Sequence, residues 1–112
     1  MKAVLTKVFH FSASYEKDHK VFASNYRLGV TTTALDESEE AVFEKKIQES
    51  LIQEIHSRDL SLHVDFLKGK RVTEHQLLQS FADRIKKEIA PWPLFSLSLE
   101  RDERTKITLS LE

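Results

Sequence analysis

The chain has five histidines, at positions 10, 19, 56, 63 and 75, and no cysteine. A thiolate zinc site, a cysteine nucleophile and a disulfide framework are therefore all excluded. No two histidines stand four residues apart, so no helical metal pair is encoded. A site built from His10, His19 and His63 would need three scattered imidazoles to converge tetrahedrally, and the sequence pattern does not favour it. His56 falls at the end of a helical stripe, where an imidazole interacts with the helix dipole or serves as a base. Thr73-Glu74-His75-Gln76 fits a capping box, in which Thr73 and Gln76 satisfy each other's free backbone donors. Glu74 then sits where the helix dipole favours an acid. Glu100 ends a strand beside a polar turn, where a charge blunts an exposed edge.

These residues need elements to hold them. Ala3, Leu5, Phe9, Phe11, Ala13 and Tyr15 share one parity, with Lys7 the exception, which predicts a strand over 3–15. A charged break at 16–20 follows. Alternation resumes at Phe22 and runs to the threonines at 31–33, which predicts an antiparallel hairpin. Asp36 or Ser38 caps a helix whose stripe is Phe43, Ile47, Leu51 and Ile55, with Ile52 beside it. Residues 57–72 read less clearly. Leu60, Leu62, Val64 and Phe66 alternate, and Lys68-Gly69-Lys70-Arg71 turns the chain. A second helix carries Leu77, Leu78, Phe81, Ile85 and Ile89 and stops at Pro91 and Pro93. Phe95 to Glu100 and Thr105 to Leu111 alternate on either side of the turn at 101–104. The order is strand-strand-helix-helix-strand-strand. The expected fold is α+β, a four-stranded antiparallel sheet with two helices on one face, in a single domain over 1–112.

Composition bounds the function. The 112 residues carry 17 Lys and Arg against 18 Asp and Glu, a net charge of -1, which argues against bulk-charge binding to nucleic acid. No apolar run is long enough to span a membrane. The opening segment breaks at Thr6-Lys7 without the apolar core of a secretory signal, so a cytoplasmic protein is expected.

Several segments resemble the 6-pyruvoyl-tetrahydropterin synthase and 6-carboxy-tetrahydropterin synthase family. Phe11-Ser12-Ala13-Ser14-Tyr15 looks like its F-S-A-S-H strand. Asn25-Tyr26-Arg27-Leu28-Gly29-Val30 resembles the later part of H-G-H-N-Y-x-x-x-V. Leu35-Asp36-Glu37-Ser38 and Val42-Phe43-Glu44-Lys45 are similar to the D-x-x-G-M-V-x-D-F start of its first helix. Ile55-His56 falls at an Asp-His pair, Val72-Thr73-Glu74 at T-T-E, and Leu99-Glu100 at the Glu that anchors the pterin. The resemblance covers nearly the whole chain, in order. It implies the tunnelling fold, ββααββ, whose units assemble into barrels with sites between subunits, here a trimer or hexamer.

The departures concern the chemistry. The family's three zinc histidines correspond to Tyr15, Phe22 and Ser24. Phenylalanine has no donor atom, and neutral Tyr and Ser are poor zinc ligands beside imidazole. The family's catalytic cysteine falls at Asp18, and the Asp of its Asp-His pair is Ile55. The resemblance leaves Glu100, Glu74 and Thr73 at pterin-binding positions, because one carboxylate can accept two adjacent N–H donors of an amino-pyrimidinone. The expectation is a pterin-synthase-like protein without zinc-dependent lyase chemistry, holding no metal and no resident cofactor. It would bind a pterin or related planar heterocycle between subunits. One alternative is a metal-independent pterin-modifying enzyme working through His56 and Glu100. Another is a structural subunit without ligand.

Overall fold

The computed structural model describes residues 3–17, 20–59, 73–101 and 104–111. Strand β1 (Val4–Lys17) and strand β2 (Lys20–Thr33) form a long hairpin, paired from Val4↔Thr33 to Lys17↔Lys20. The charged segment expected to break the chain at 16–20 is thus mostly strand, because pairing continues to the tip. Phe9, Phe11 and Ala13 of β1 and Tyr26, Leu28, Val30 and Thr32 of β2 are buried on one face. Lys7 interrupts the apolar row for a reason. It shares that face and reaches over to Glu40 at 2.5 Å and Glu44 at 3.7 Å on the first helix. The hydrogen bond to Glu40 raises its pKa against the opposing effect of burial.

The first helical segment is continuous from 37 to 55. It comprises α1 (Glu37–Ile47), a π-helical turn (Gln48–Ile52) and α2 (Gln53–Ile55). Its stripe repeats at every fourth residue, and each such step overshoots by about 40° in a regular α-helix. The wider π turn takes back part of that drift. Phe43, Ile47, Leu51 and Ile55 are accordingly all fully buried. At its start, Asp36 accepts from the Glu39 amide at 2.8 Å, and Glu39 Oε1 accepts from the Asp36 amide at 3.2 Å. This reciprocal box lies at Asp36, not at Thr73, where the sequence advertised one. The Glu39 amide, helped by the Ser38 hydroxyl, holds the Asp36 carboxyl below its usual range. A lowered folded value means stability that is present above the ordinary carboxyl pKa and lost as pH falls through the lowered one. Asp36→Ala should therefore melt at a lower temperature near neutrality and lose less on acidification. Thermal melts across the acid range check this, and parallel acid limbs for the two proteins would contradict it.

Helix α3 (Glu74–Ile89) is capped by Thr73, whose hydroxyl accepts from the Gln76 amide at 3.1 Å. It buries Leu77, Leu78, Phe81, Ile85 and Ile89. Arg84 ties α3 to the first helical segment, donating to the Ser50 carbonyl at 3.1 Å and to Glu54 at 2.8 Å. Strands β4 (Ser96–Glu100) and β5 (Lys106–Ser110) complete a second hairpin. Both helices lie against the face that buries Leu97 and Leu99. Phe11 is the joint between layers. It stacks on Tyr26 at 5.1 Å and meets the edge of Phe81 at 6.2 Å. Gly29 passes so close to Ser98 that a Cβ there would lie 2.5 Å from the serine hydroxyl.

The four antiparallel strands match the expected sheet. A fifth strand was not foreseen. β3 (Arg58–Asp59) pairs in parallel with Ala13 and Ser14 on the free side of β1, giving the order β3-β1-β2-β4-β5. The alternating stretch from Leu60 to Phe66 and the turn at 68–71 lie outside the described residues. Among the described residues no helix is long and apolar enough to cross a membrane.

Candidate functional site

Near the tip half of the β1–β2 hairpin, a cleft of about 650 Å³ is lined by His10, Phe11, Ser12, Asn25, Tyr26, Arg27, His56 and Arg101. It adjoins a second hollow of about 460 Å³ that shares Ser12 and Asn25 and adds Ser14, Ser24 and Ser57. The hairpin supplies most of the lining through adjacent cross-strand pairs, His10↔Arg27, Phe11↔Tyr26 and Ser12↔Asn25. Ser12 Oγ donates to Asn25 Oδ1 at 2.5 Å. His56 arrives from the end of α2, and its Nδ1 accepts the Ser12 amide at 3.1 Å. Ser57 follows with φ of 60°, a left-handed conformation rare outside glycine. That reversal brings its N–H onto the Ser12 carbonyl at 2.5 Å and starts β3.

The residues singled out from sequence divide between places. Tyr15 stands opposite Phe22 in the ladder, and Ser24 is two residues further along β2. By register these three positions have the parity of buried Phe11 and Tyr26 and fall in the half of the hairpin nearer its end. Ser24 Oγ donates to the Arg101 carbonyl at 3.2 Å. Ile55 is fully buried in the core, so the position of the expected carboxylate is used for packing. Glu74 leaves the first turn of α3 and meets Arg101 Nη1 at 2.5 Å, with 11% of its side chain exposed. Glu100 has the opposite parity to Leu97 and Leu99, so it faces away from the helices. It pairs with Arg27 at 2.7 Å and Lys106 at 3.8 Å. Thr73 is the cap of α3 and its hydroxyl is engaged there.

Arg101 and Arg27 are the residues that the sequence undervalued. Arg101 reads as part of a polar turn, but it follows the parity of Leu97 and Leu99 and joins the cleft to Glu74. Arg27 reads only as part of a strand motif. The signal for it was register: Arg27 is the cross-strand neighbour of both His10 and Glu100. Among the described residues no group of three His, Asp or Glu side chains is placed to hold a metal. His10 lines the cleft, whereas His19 and His63, its partners in a rebuilt site, lie outside the described residues. His75 is an exposed helix residue beside Gln79 at 3.2 Å.

The architecture can be set against known structures. It matches that of the 6-pyruvoyl tetrahydropterin synthase of Caenorhabditis elegans with a TM-score of 0.80, over 98% of this chain and 96% of that one, at 14% identity. The chain has the 6-pyruvoyl tetrahydropterin synthase fold. An uncharacterized protein from Wolinella succinogenes shares it with a TM-score of 0.69, over 100% of this chain and 99% of that one, at 11% identity. No family model matches the chain, and no curated protein matches its sequence. The synthase fold is therefore carried by packing and register, with few residues in common.

Proposed function

We propose that this protein binds a pterin or related planar heterocycle between subunits and lacks the family's zinc-dependent lyase apparatus. One observation carries the reading. The scaffold follows a pterin synthase from end to end, and the positions that the resemblance pairs with the zinc histidines are Tyr15, Phe22 and Ser24, without an imidazole among them. Tyr, Phe and Ser do not make a zinc site competitive with three histidines. The Ile55 position offers no carboxylate to orient His56. The same hairpin lines a cleft of about 650 Å³, within the usual range of small-molecule sites. It offers imidazole, guanidinium, hydroxyl and amide groups to a polar ligand, while the rings of Phe11 and Tyr26 are buried in the core. Of Glu100, Glu74 and Thr73, none is in the lining of that cleft; Glu100 adjoins it through Arg27 and Glu74 through Arg101, on opposite faces of the sheet, and Glu100 is the residue we assign to the ligand's donor edge.

Assembly follows from the sheet edges. Among the described residues, β3 covers only Ala13 and Ser14 of β1, and β5 is the outer strand at the other side. Unpaired edges must be blunted, covered or paired with another chain; pairing is the solution we propose here, in a trimer or a hexamer of two trimers. Native mass spectrometry tests metal content and assembly on one sample. The expected species is a trimer or hexamer at the mass of the polypeptide alone. About one zinc per chain would overturn the loss of the metal site. A monomer at micromolar concentration would remove the basis for a site between subunits.

A further inference from the structure

Ser12 faces Asn25 in the hairpin ladder, yet both of its main-chain groups bond on the far side, away from β2. Its N–H donates to His56 Nδ1 at 3.1 Å, and its carbonyl accepts from the Ser57 N–H at 2.5 Å. Alternate residues of an antiparallel strand turn both groups outward in this way, and at an edge they need partners. Here the His56 ring does for the Ser12 N–H what the carbonyl of a neighbouring strand would do. The left-handed Ser57 then brings the chain parallel to β1. An imidazole nitrogen that accepts must use its lone pair, so a neutral ring accepting at Nδ1 carries its proton on Nε2.

The same ring lines the cleft, together with Asn25, Arg27 and Arg101. Asn25 uses its Oδ1 to accept from Ser12, which leaves its NH2 to donate. Asn25 and His56 therefore each offer the cleft N–H groups, while Arg27 and Arg101 are held by Glu100 and Glu74. We infer that His56 is a positioning residue and a fixed donor: Nδ1 clips the edge of β1, and Nε2–H is offered to an acceptor atom of the ligand. That acceptor is a carbonyl oxygen, a carboxylate oxygen or an unprotonated ring nitrogen. To act as a base, neutral His56 would have to take the proton at Nδ1, the atom that holds Ser12. Proton abstraction would then release the strand edge, so the ring is suited to holding an acceptor. This inference rests on the proposed heterocycle site. It complements Glu100, which is assigned to the donor edge of the same ligand.

The test is nitrogen NMR of the histidine-labelled full-length protein at mildly alkaline pH, with amide exchange followed at Ser12. The expected spectrum has an unprotonated Nδ1 and a protonated Nε2 at His56, with a protected Ser12 amide. His56→Ala should speed exchange at Ser12 by about tenfold. His56→Asn, whose Oδ1 can stand in for Nδ1, should restore that protection. With 6-carboxypterin as the probe, the wild-type Nε2–H resonance should shift. His56→Asn should bind the probe about fivefold more weakly than His56→Gln, whose amide nitrogen can replace the Nε2–H donor. The opposite tautomer, or Ser12 exchange unchanged in His56→Ala, overturns the inference. Equal affinity in wild type, Asn and Gln variants overturns the donor role. If 6-carboxypterin fails to bind the wild type, the pterin reading and the donor role that rests on it both fail, while the tautomer and Ser12 exchange still decide the positioning role.

Discussion

Phe81→Ala is expected to destabilise the protein by about 3–5 kcal/mol, the range for deleting a large buried aromatic. Phe81 is fully buried in the middle of α3, and its ring meets Phe11 edge-on at 6.2 Å with 81° between the planes. Phe11 is in turn stacked on Tyr26 across the hairpin. Removing Phe81 therefore opens a void at the joint between helix layer and sheet, and strips one partner from an aromatic chain of three. The loss is a large share of the roughly 5–15 kcal/mol that holds a domain of this size together. A drop of about 15 °C or more in melting temperature is the corresponding reading. Phe81→Leu, which keeps most of the volume, should cost much less. Val21→Ala is the control, since Val21 is 69% exposed and such surface changes stay within about 0.5 kcal/mol. If Phe81→Ala melted like that control, α3 would not be packed on this sheet.

The strength of that joint explains why the fold was legible from sequence. Phe9, Phe11 and Ala13 alternate with polar residues because one face of β1 is covered by helix. Leu77, Leu78, Phe81 and Ile85 follow the complementary helical period. Two independent periodicities thus describe the two sides of one interface. What escaped the sequence depended on geometry without periodicity. β3, two described residues, follows Ser57 in a left-handed conformation, which a serine does not announce. The π turn left a faint trace, a stripe with strict four-residue spacing, which a regular helix cannot keep on one side. The break expected at 16–20 was a matter of charge, and charge does not stop the ladder, which pairs Glu16 with Val21 and Lys17 with Lys20.

The site was less legible, and the reason is again physical. Residue type identifies a zinc site because imidazole is hard to replace, so the proposal of a lost site rests on what Tyr15, Phe22 and Ser24 lack. Clefts built from Ser12, Asn25, Arg27 and Arg101 carry no such signature. Their proximity depends on register and on the end of α2 meeting the edge of β1. Parity did hold one clue. Glu100 and Arg101 are neighbours in sequence but point to opposite faces of the sheet, one to Arg27 and the other to Glu74. A motif comparison along the chain treats them as one locus.

That division sets up the second large effect. Glu100→Gln is expected to weaken binding of neopterin by about tenfold or more, with little change in melting temperature. Charge-assisted hydrogen bonds contribute roughly 1.5–3 kcal/mol each, and about 1.4 kcal/mol is tenfold in affinity. The amide would turn a donor toward a ligand donor and remove the charge. Stability should barely respond, because the pairing with Arg27 and Lys106 is partly exposed, and such ion pairs contribute about 0–1 kcal/mol. Glu74→Gln should show the reverse balance. Its carboxylate is largely covered and joined to Arg101, so it should lose stability more clearly and affinity less. Arg27 sharpens the contrast. It occupies Glu100 at 2.7 Å, so it competes with any ligand for that carboxylate, and Arg27→Met should strengthen neopterin binding if Glu100 is the anchor. Calorimetry with neopterin, 6-carboxypterin and guanine on the wild type and the three variants separates the cases. Binding by none of the ligands would favour a structural subunit. Binding that survives Glu100→Gln undiminished would reduce Glu100 to one half of a surface ion pair and move the donor-edge contact to Glu74.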